Sequence, residues 1–418
     1  MRRIPTVAVL ATQAVLLGAV AVSYGLAGPN VQRDLRTELR LPAPPPRITP
    51  PRTTPLVIEP LYDDPEVASD RELADVLAKL QPRFAPEKLK PNHVEHALRT
   101  WSVHATFADP EVMSGQAMKD YLVDHGRFLA SWGDAVAPLL SDQEAGVSVR
   151  WGKLDGASVH HDHWLASLTE AGVSLDEPVF TPGRRGHTIG DVLQQSLWDF
   201  RVDEIETEWS ALAFGLWLPP ERAWRLRDGR EVSFDLLAER LMRGDRKLGV
   251  CAGTHRVYSL MVLVRLDDEF QILSPSMRAK AWRHLETVRD AIAVSQFPDG
   301  HWPSNWADGA DAVANPIDEE HYKKVIATGH HLEWLAIAPT ELHPPRALIL
   351  KAADWVIGTT RAQSDADIVQ RYTFFSHVGN ALALWRKTHP PVFWQQWETT
   401  HPPRLDGQPV SALEALAP

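Results

Sequence analysis

The chain has 418 residues, 44% hydrophobic and 23% charged, with 16 Trp against 6 Tyr. This is the composition of a globular protein with a large apolar core, and it excludes a disordered chain. A formal charge of -11 and a pI near 5.9, with no run of Lys or Arg, exclude a nucleic-acid binder, which needs clustered cations for phosphate. The single cysteine, Cys251, excludes an intramolecular disulfide framework. Length alone allows two or three average domains or one large barrel or toroid.

Met1-Arg2-Arg3 opens the chain and is followed by an uncharged, mainly apolar stretch from Ile4 to about Ala27. That is long enough for a bilayer core of about 30 Å, so residues 1–28 are expected to be a signal anchor, or a signal peptide cleaved near Ala27. Either way the body is expected outside the cytoplasm, membrane-anchored in the first case and secreted in the second. Arg2 and Arg3 favour a cytoplasmic N-terminus, although Arg33, Arg36 and Arg40 on the far side weaken the asymmetry. Leu41–Pro60 carries eight prolines, so residues 29–60 are expected to form an extended spacer that holds the body, residues 61–412, away from the membrane.

From residue 61 onward helix signals dominate. "DRELADVLAKL", "HVEHALRTWSVHATF", "MKDYLVDHGRFLASW", "TIGDVLQQSLWDF", "SFDLLAERLMRG" and "MRAKAWRHLETVRDAIAVSQ" carry apolar residues at spacings of three and four between Pro, Gly or Asp boundaries. Four other segments are apolar around most of a helix: "ETEWSALAFGLWL", "GTHRVYSLMVLVRL", "TGHHLEWLAIAP" and "FFSHVGNALALWRK". Aligning Glu206, His255, His331 and His377 places Trp209, Tyr258, Trp334 and Asn380 three residues on. A helix apolar on all sides is buried, and one with a single apolar stripe covers the outside. Their alternation predicts an all-α body, an α/α toroid of inner and outer helices, with an open solenoid of helix pairs as the alternative.

Between the second and third of these helices, Gln296-Phe-Pro-Asp-Gly300-His-Trp302 has the spacing Q-x3-G-x-W. Following an amphipathic helix and preceding a buried one, it resembles the repeat of the squalene-cyclase and prenyltransferase superfamily. That resemblance, best over residues 200–390, implies an α/α toroid in which Gln296 and Trp302 tie an outer helix to the next repeat. It also implies where the chain departs from its relatives. The D-x-D-D acid of polyprenyl cyclases is missing, Asp267-Asp268-Glu269 being its nearest counterpart, and so is the D-D-x-x-D magnesium motif. Protein prenyltransferases and lanthionine-forming cyclases hold zinc with Cys and His, which draws attention to Cys251, His255 and His331 as zinc ligands.

Without metal, Glu206, His255, His331 and His377 at the starts of inner helices would face one mouth of the toroid, where carboxylate and imidazole suit acid–base chemistry on a lipid or glycan. Tyr258, Trp334, Trp209, His330, Asn380 and His301 would line or neighbour that cavity, joined by Trp306. The alternative is a non-catalytic protein of the cell envelope whose histidines are structural. His160-His161-Asp162-His163 is metal-like in composition, but neighbouring residues cannot all face one ion. Asp203 and Glu204 read as a solvated helix start, and His93 and His96 as polar residues of a core or rim. Oligomeric state is not legible.

Overall fold

The computed structural model describes residues 6–27, 31, 47–204, 206–226, 229–243 and 250–402. The chain divides into two units, residues 1–47 and 48–418. The first contains helix α1, Thr6–Leu26, over the apolar stretch. No helix among the described residues is long and apolar enough to cross a membrane. Arg2, Arg3, Arg33, Arg36 and Arg40, most of the proline-rich stretch before Arg47, and residues 403–412 of the expected body lie outside the described residues.

The second unit is mostly helical. Its helices are α2 (Asp70–Lys79), α3 (Pro91–Trp101), α4 (Gly115–Val123), α5 (His125–Trp132), α6 (His163–Glu170), α7 (Ile189–Asp199), α8 (Glu208–Trp217) and α9 (Phe234–Met242). They continue with α10 (Thr254–Phe270), α11 (Pro275–Ser295), α12 (Ala310–Ala314), α13 (His321–Ile337), α14 (Arg346–Ala362), α15 (Asp365–Gln370), α16 (Tyr372–Trp385) and α17 (Pro390–Thr400). Three short antiparallel hairpins sit in the connections. Two boundaries differ from the sequence expectation. Residues 118–132 break at Asp124, whose carboxylate accepts from the Gly126 N–H at 2.7 Å and starts a second helix. The buried helix expected from Thr328 begins at His321.

Burial sorts the helices into two kinds. Every residue of α8 is buried, as is the whole run Val325–Ile337 of α13, whereas α11 buries the stripe Met277, Ala281, Leu285, Val288 and Ile292. The buried helices are neighbours in a cycle: α3 packs on α6, α6 on α8, α8 on α10, α10 on α13, α13 on α16, and α16 again on α3. Striped helices lie against them, α4 on α3, α9 on α8 and α10, α11 on α10, α14 on α13, and α2 on α16. Among the capped starts, Ser69 and Glu72 of α2 form a capping box, and Ser274 caps α11 ahead of Pro275.

Residues 48–60 are not a free spacer. The Leu56 N–H donates to Leu216 O at 3.0 Å, the Leu61 N–H to Ala336 O at 3.4 Å, and Arg52 to Trp217 O at 3.3 Å and Pro219 O at 2.7 Å. Leu216, Trp217 and Ala336 stand at the C-terminal ends of α8 and α13, where carbonyls have no partner inside the helix. The segment satisfies them. Leu56, Val57 and Ile58 also line a cavity of about 60 Å3 together with Arg99, Glu170, Tyr258 and Asn380. A proline-rich composition predicts an extended backbone, and the backbone is irregular here; docking against helix ends is what composition leaves open.

The Gln296–Trp302 turn is an architectural joint. The Gln296 side-chain amide donates to Gly300 O at 2.9 Å and to Leu348 O of α14 at 2.7 Å, and the Trp302 indole donates to Ile292 O of α11 at 2.8 Å. Gly300 has φ +110°, and a Cβ there would lie 2.3 Å from the Lys351 carbonyl oxygen. Gly300→Ala is therefore expected to destabilise the fold by about 1–3 kcal/mol through strain at that φ. A thermal melt should show a clearly lowered midpoint, and an unchanged midpoint would contradict the close approach to α14.

Candidate functional site

Each buried helix of the cycle contributes one aromatic or imidazole ring to a closed belt. The rings run His96 to His163 (centroids 4.5 Å apart), His163 to Trp209 (4.3 Å), Trp209 to His255 (4.1 Å), His255 to His330 (4.1 Å), His330 to His377 (3.7 Å) and His377 back to His96 (5.3 Å). All six residues are buried. Burial, with neighbouring positive charge, holds His96, His163, His255 and His377 well below the ordinary histidine range, and His330 below it, so the belt histidines are neutral near pH 7.

One helical turn further along lie Arg99, Tyr258, Glu333 and Asn380, each three residues after a belt member, and Glu170 comes from α6. Arg99 pairs with Glu333 at 2.8 Å and Glu170 at 2.5 Å, and its guanidinium lies 5.2 Å from the Tyr258 ring centroid. The Tyr258 hydroxyl donates to Glu170 at 2.7 Å and Asn380 donates to Glu333 at 2.6 Å. Burial alone would raise the Glu333 carboxyl; Arg99 and the hydrogen bond from His330 outweigh it and hold the group well below the carboxylate range. The opposite holds for Glu95 beside the belt, which burial pushes up to about 8 despite hydrogen bonds with Ser158 and His163.

Two groups of potential metal ligands overlap at His330. Cys251, His255 and His330 bring one ligand atom each within 4.8 Å of one another, and so do His330, Glu333 and His377. Their hydrogen bonds separate them. Glu333 is already balanced by Arg99, Asn380 and His330, and His377 Nδ1 is 3.0 Å from Arg99, where it must accept, leaving the proton on Nε2. In the first group, by contrast, His330 Nδ1 donates to Glu333 at 2.8 Å, which frees its buried Nε2, and neither ring nitrogen of His255 has a partner. Buried polar atoms without partners are rare in folded proteins, and neutral imidazoles oriented by a carboxylate are what a metal ion requires. Cys251 completes this group from a turn in which Cys251, Ala252 and Gly253 all have positive φ (52°, 58° and 77°). Thr254 Oγ1 donating to Cys251 O at 2.7 Å and the Trp306 indole donating to Ala252 O at 3.0 Å hold that turn.

The expected site residues distribute unevenly. His255, His377, Trp209 and His330 meet in the belt, with Tyr258 and Asn380 one turn away. His331 does not join them: it faces Trp302 and Trp306, with ring centroids at 5.3 and 4.7 Å, and accepts from the Trp334 indole at 3.1 Å. The group with Cys251 and His255 therefore takes His330 in place of His331. Glu206 precedes α8 at the rim and pairs with His160 at 2.6 Å. His301 stacks on Phe297, lies tilted against Trp355 and bonds Asp299 at 2.7 Å, away from the belt. His330 and His377 sit inside α13 and α16, so burial lowers their pKa and the helix dipole does not. The sequence reading gave Arg99 and Glu170 no role and left His96 as a core or rim residue and His163 in a metal-like run; the spacing of three shared by His96–Arg99, His255–Tyr258, His330–Glu333 and His377–Asn380 finds His96 and Arg99, but not His163 or Glu170.

No family model matches this chain, and no match was found among curated proteins or solved structures.

The buried neutral histidines make stability depend on pH. His331 is lowered to about 3 by burial and His330, and His93 to about 4 by burial and Lys90. Their folded pKa values lie below the unfolded value of about 6.5, so the stability they permit is complete above that pH and is lost as pH falls toward the folded values. Urea midpoints are expected to drop steeply between pH 6.5 and 4, and less steeply in His93→Gln. A flat profile over that window would contradict neutral burial.

Proposed function

We propose that this chain is an exported α/α-toroid enzyme whose chemistry is organised by a zinc ion held by Cys251, His255 and His330. The observation that carries the reading is the pair of unpartnered nitrogens on buried His255 beside Cys251 and the free Nε2 of His330. Support for the toroid comes from the cyclic neighbour order of six buried helices, each giving one ring to the belt. Export rests on Arg2-Arg3 and the apolar stretch behind them, with the N-terminal helix retained as a membrane anchor or cleaved.

The residues fit zinc by chemical type. One thiolate and two imidazoles are borderline-soft donors that suit zinc and not magnesium or calcium, and three protein ligands leave a fourth position, the pattern of catalytic sites. Zinc supplies Lewis acidity for a carbonyl or phosphoryl group. The chain's own residues do the rest: Glu333 fixes the His330 ring so that Nε2 is the ligand atom, Arg99 keeps Glu333 ionised, and the belt excludes bulk water beneath the ligands. The cavity under the belt, about 60 Å3, has room for a few waters and not for a lipid or glycan, which supports substrate entry on the Cys251 side in this reading. A non-catalytic envelope protein with structural histidines is the second reading, favoured by the full burial of His255, His331 and His377.

Metal analysis separates the two. The purified protein is expected to bind one equivalent of zinc, and Cys251→Ser, His255→Ala and His330→Ala to lose it, while His331→Ala keeps it. Glu333→Gln is expected to weaken zinc about 10–100-fold, the usual effect of removing the group that orients a ligand. A folded protein that takes up no zinc or cobalt would leave the scaffold reading standing.

A further inference from the structure

Beside Cys251 lies an open pocket of about 380 Å3. That falls in the roughly 300–1,000 Å3 range of small-molecule sites. It is lined by aliphatic Ile317, Ile326 and Ala252, by Tyr322, and by Lys323, the charged side chain of the lining, with Ser304 and Asn305 as neutral polar groups. Cys251 belongs both to this lining and to the group with His255 and His330, and it is the partly exposed member of that group. The pocket thus borders the ligand group on its partly exposed side, from which a small molecule could reach an ion held there.

The lining has defined shape. The Tyr322 ring stacks on Phe374 (centroids 4.6 Å apart, planes 14° apart), with the Arg371 guanidinium 5.4 Å from its centroid. The Ser304 N–H is held by Glu319 at 3.2 Å, and Trp306 fixes the Ala252 carbonyl. Lys323 is half-buried and makes no ion pair with a described residue. An ammonium held partly out of water with no ion-pair partner among the described residues favours an anion, and the isoleucines favour a hydrocarbon arm.

We infer that this pocket takes a small aliphatic molecule with an oxyanion head, a carboxylate or a phosphate monoester, its head between the zinc-site ligands and Lys323 and its arm against Ile317 and Ile326. This rests on the metal reading above. Charge and arm length are what the pocket selects, and the two head groups share one recognition chemistry.

Cobalt in place of zinc gives the test a spectroscopic readout that does not need activity. The full-length cobalt-loaded protein is titrated with acetate, hexanoate, hexyl phosphate, hexanol and hexylamine while its visible bands are followed. Hexanoate or hexyl phosphate should shift the bands at lower concentration than acetate, hexanol and hexylamine should not, and whichever of the two anions binds more tightly identifies the head group. Lys323→Gln is expected to weaken the anion about tenfold while leaving the cobalt spectrum of the unliganded protein unchanged, and Ile326→Ser to erase the preference for hexanoate over acetate. Bands that form normally but respond to none of the anions, or respond equally in Lys323→Gln, sink the pocket assignment and leave the metal site intact. A protein that forms no cobalt bands at all overturns both.

Discussion

A guanidinium buried among helices costs several kcal/mol unless it is paired and hydrogen-bonded, and Arg99 is the point on which this interior turns. It projects from α3 and is met by Glu333 of α13, Glu170 of α6 and His377 of α16, while Tyr258 of α10 and Asn380 of α16 bind the two carboxylates. Four of the other five buried helices thus place polar groups around one charge, and α8 supplies apolar Leu212 nearby. Slipping any of those four by one residue would turn its polar group away from the cluster. The ion network therefore specifies helix register in a way that interchangeable apolar contacts do not.

The belt follows from that register. His96, His255, His330 and His377 stand three residues before Arg99, Tyr258, Glu333 and Asn380, so fixing one layer fixes the next, one helical turn away. Since the negative charge of Glu333 and Glu170 is spent on Arg99, little remains to stabilise imidazolium, and burial leaves the histidines neutral. Neutral imidazole is a poor proton donor and a good metal ligand. The same electrostatics that hold the helices in register therefore support the proposed ligation by His255 and His330 over acid–base work by His255, His331 and His377. Residues 48–60 complete the enclosure by occupying the carbonyl ends of α8 and α13, which keeps bulk water from the ion network.

Much of the scaffold was legible. Apolar periodicity marked four of the six buried helices, because burial on all sides and burial on one side leave different patterns in a linear chain; α3, with Glu95, His96 and Arg99 among its apolar residues, read as striped and is buried almost throughout. The Gln296–Trp302 spacing marked a joint, because only glycine accepts the backbone of Gly300 against Lys351. The site was legible in part. Aligning by residue type paired His331 with His255 and His377, since both histidines of "GHHLEW" match equally well in one dimension. They lie about 100° apart on the helix, so one meets the belt and its neighbour meets Trp302 and Trp306. The repeat spacing is clearest after residue 200, and α3 and α6, which contribute Arg99, Glu170, His96 and His163, precede it.

Taken by itself, then, the sequence determined that the body is helical, which four of its helices are apolar on all sides, where one outer helix turns, and that a single cysteine leaves no intramolecular disulfide. These are local or compositional properties, set by side-chain polarity at spacings of a few residues. Tertiary structure alone decided which of two adjacent histidines faces the centre, that residues 48–60 dock where a free spacer was expected, and that Cys251 meets His255 and His330 beside an open pocket. Each of those depends on rotation about a helix axis or on contacts between residues far apart in the chain, 167 positions in the Arg52 bond to Pro219, and neither quantity is written in local periodicity.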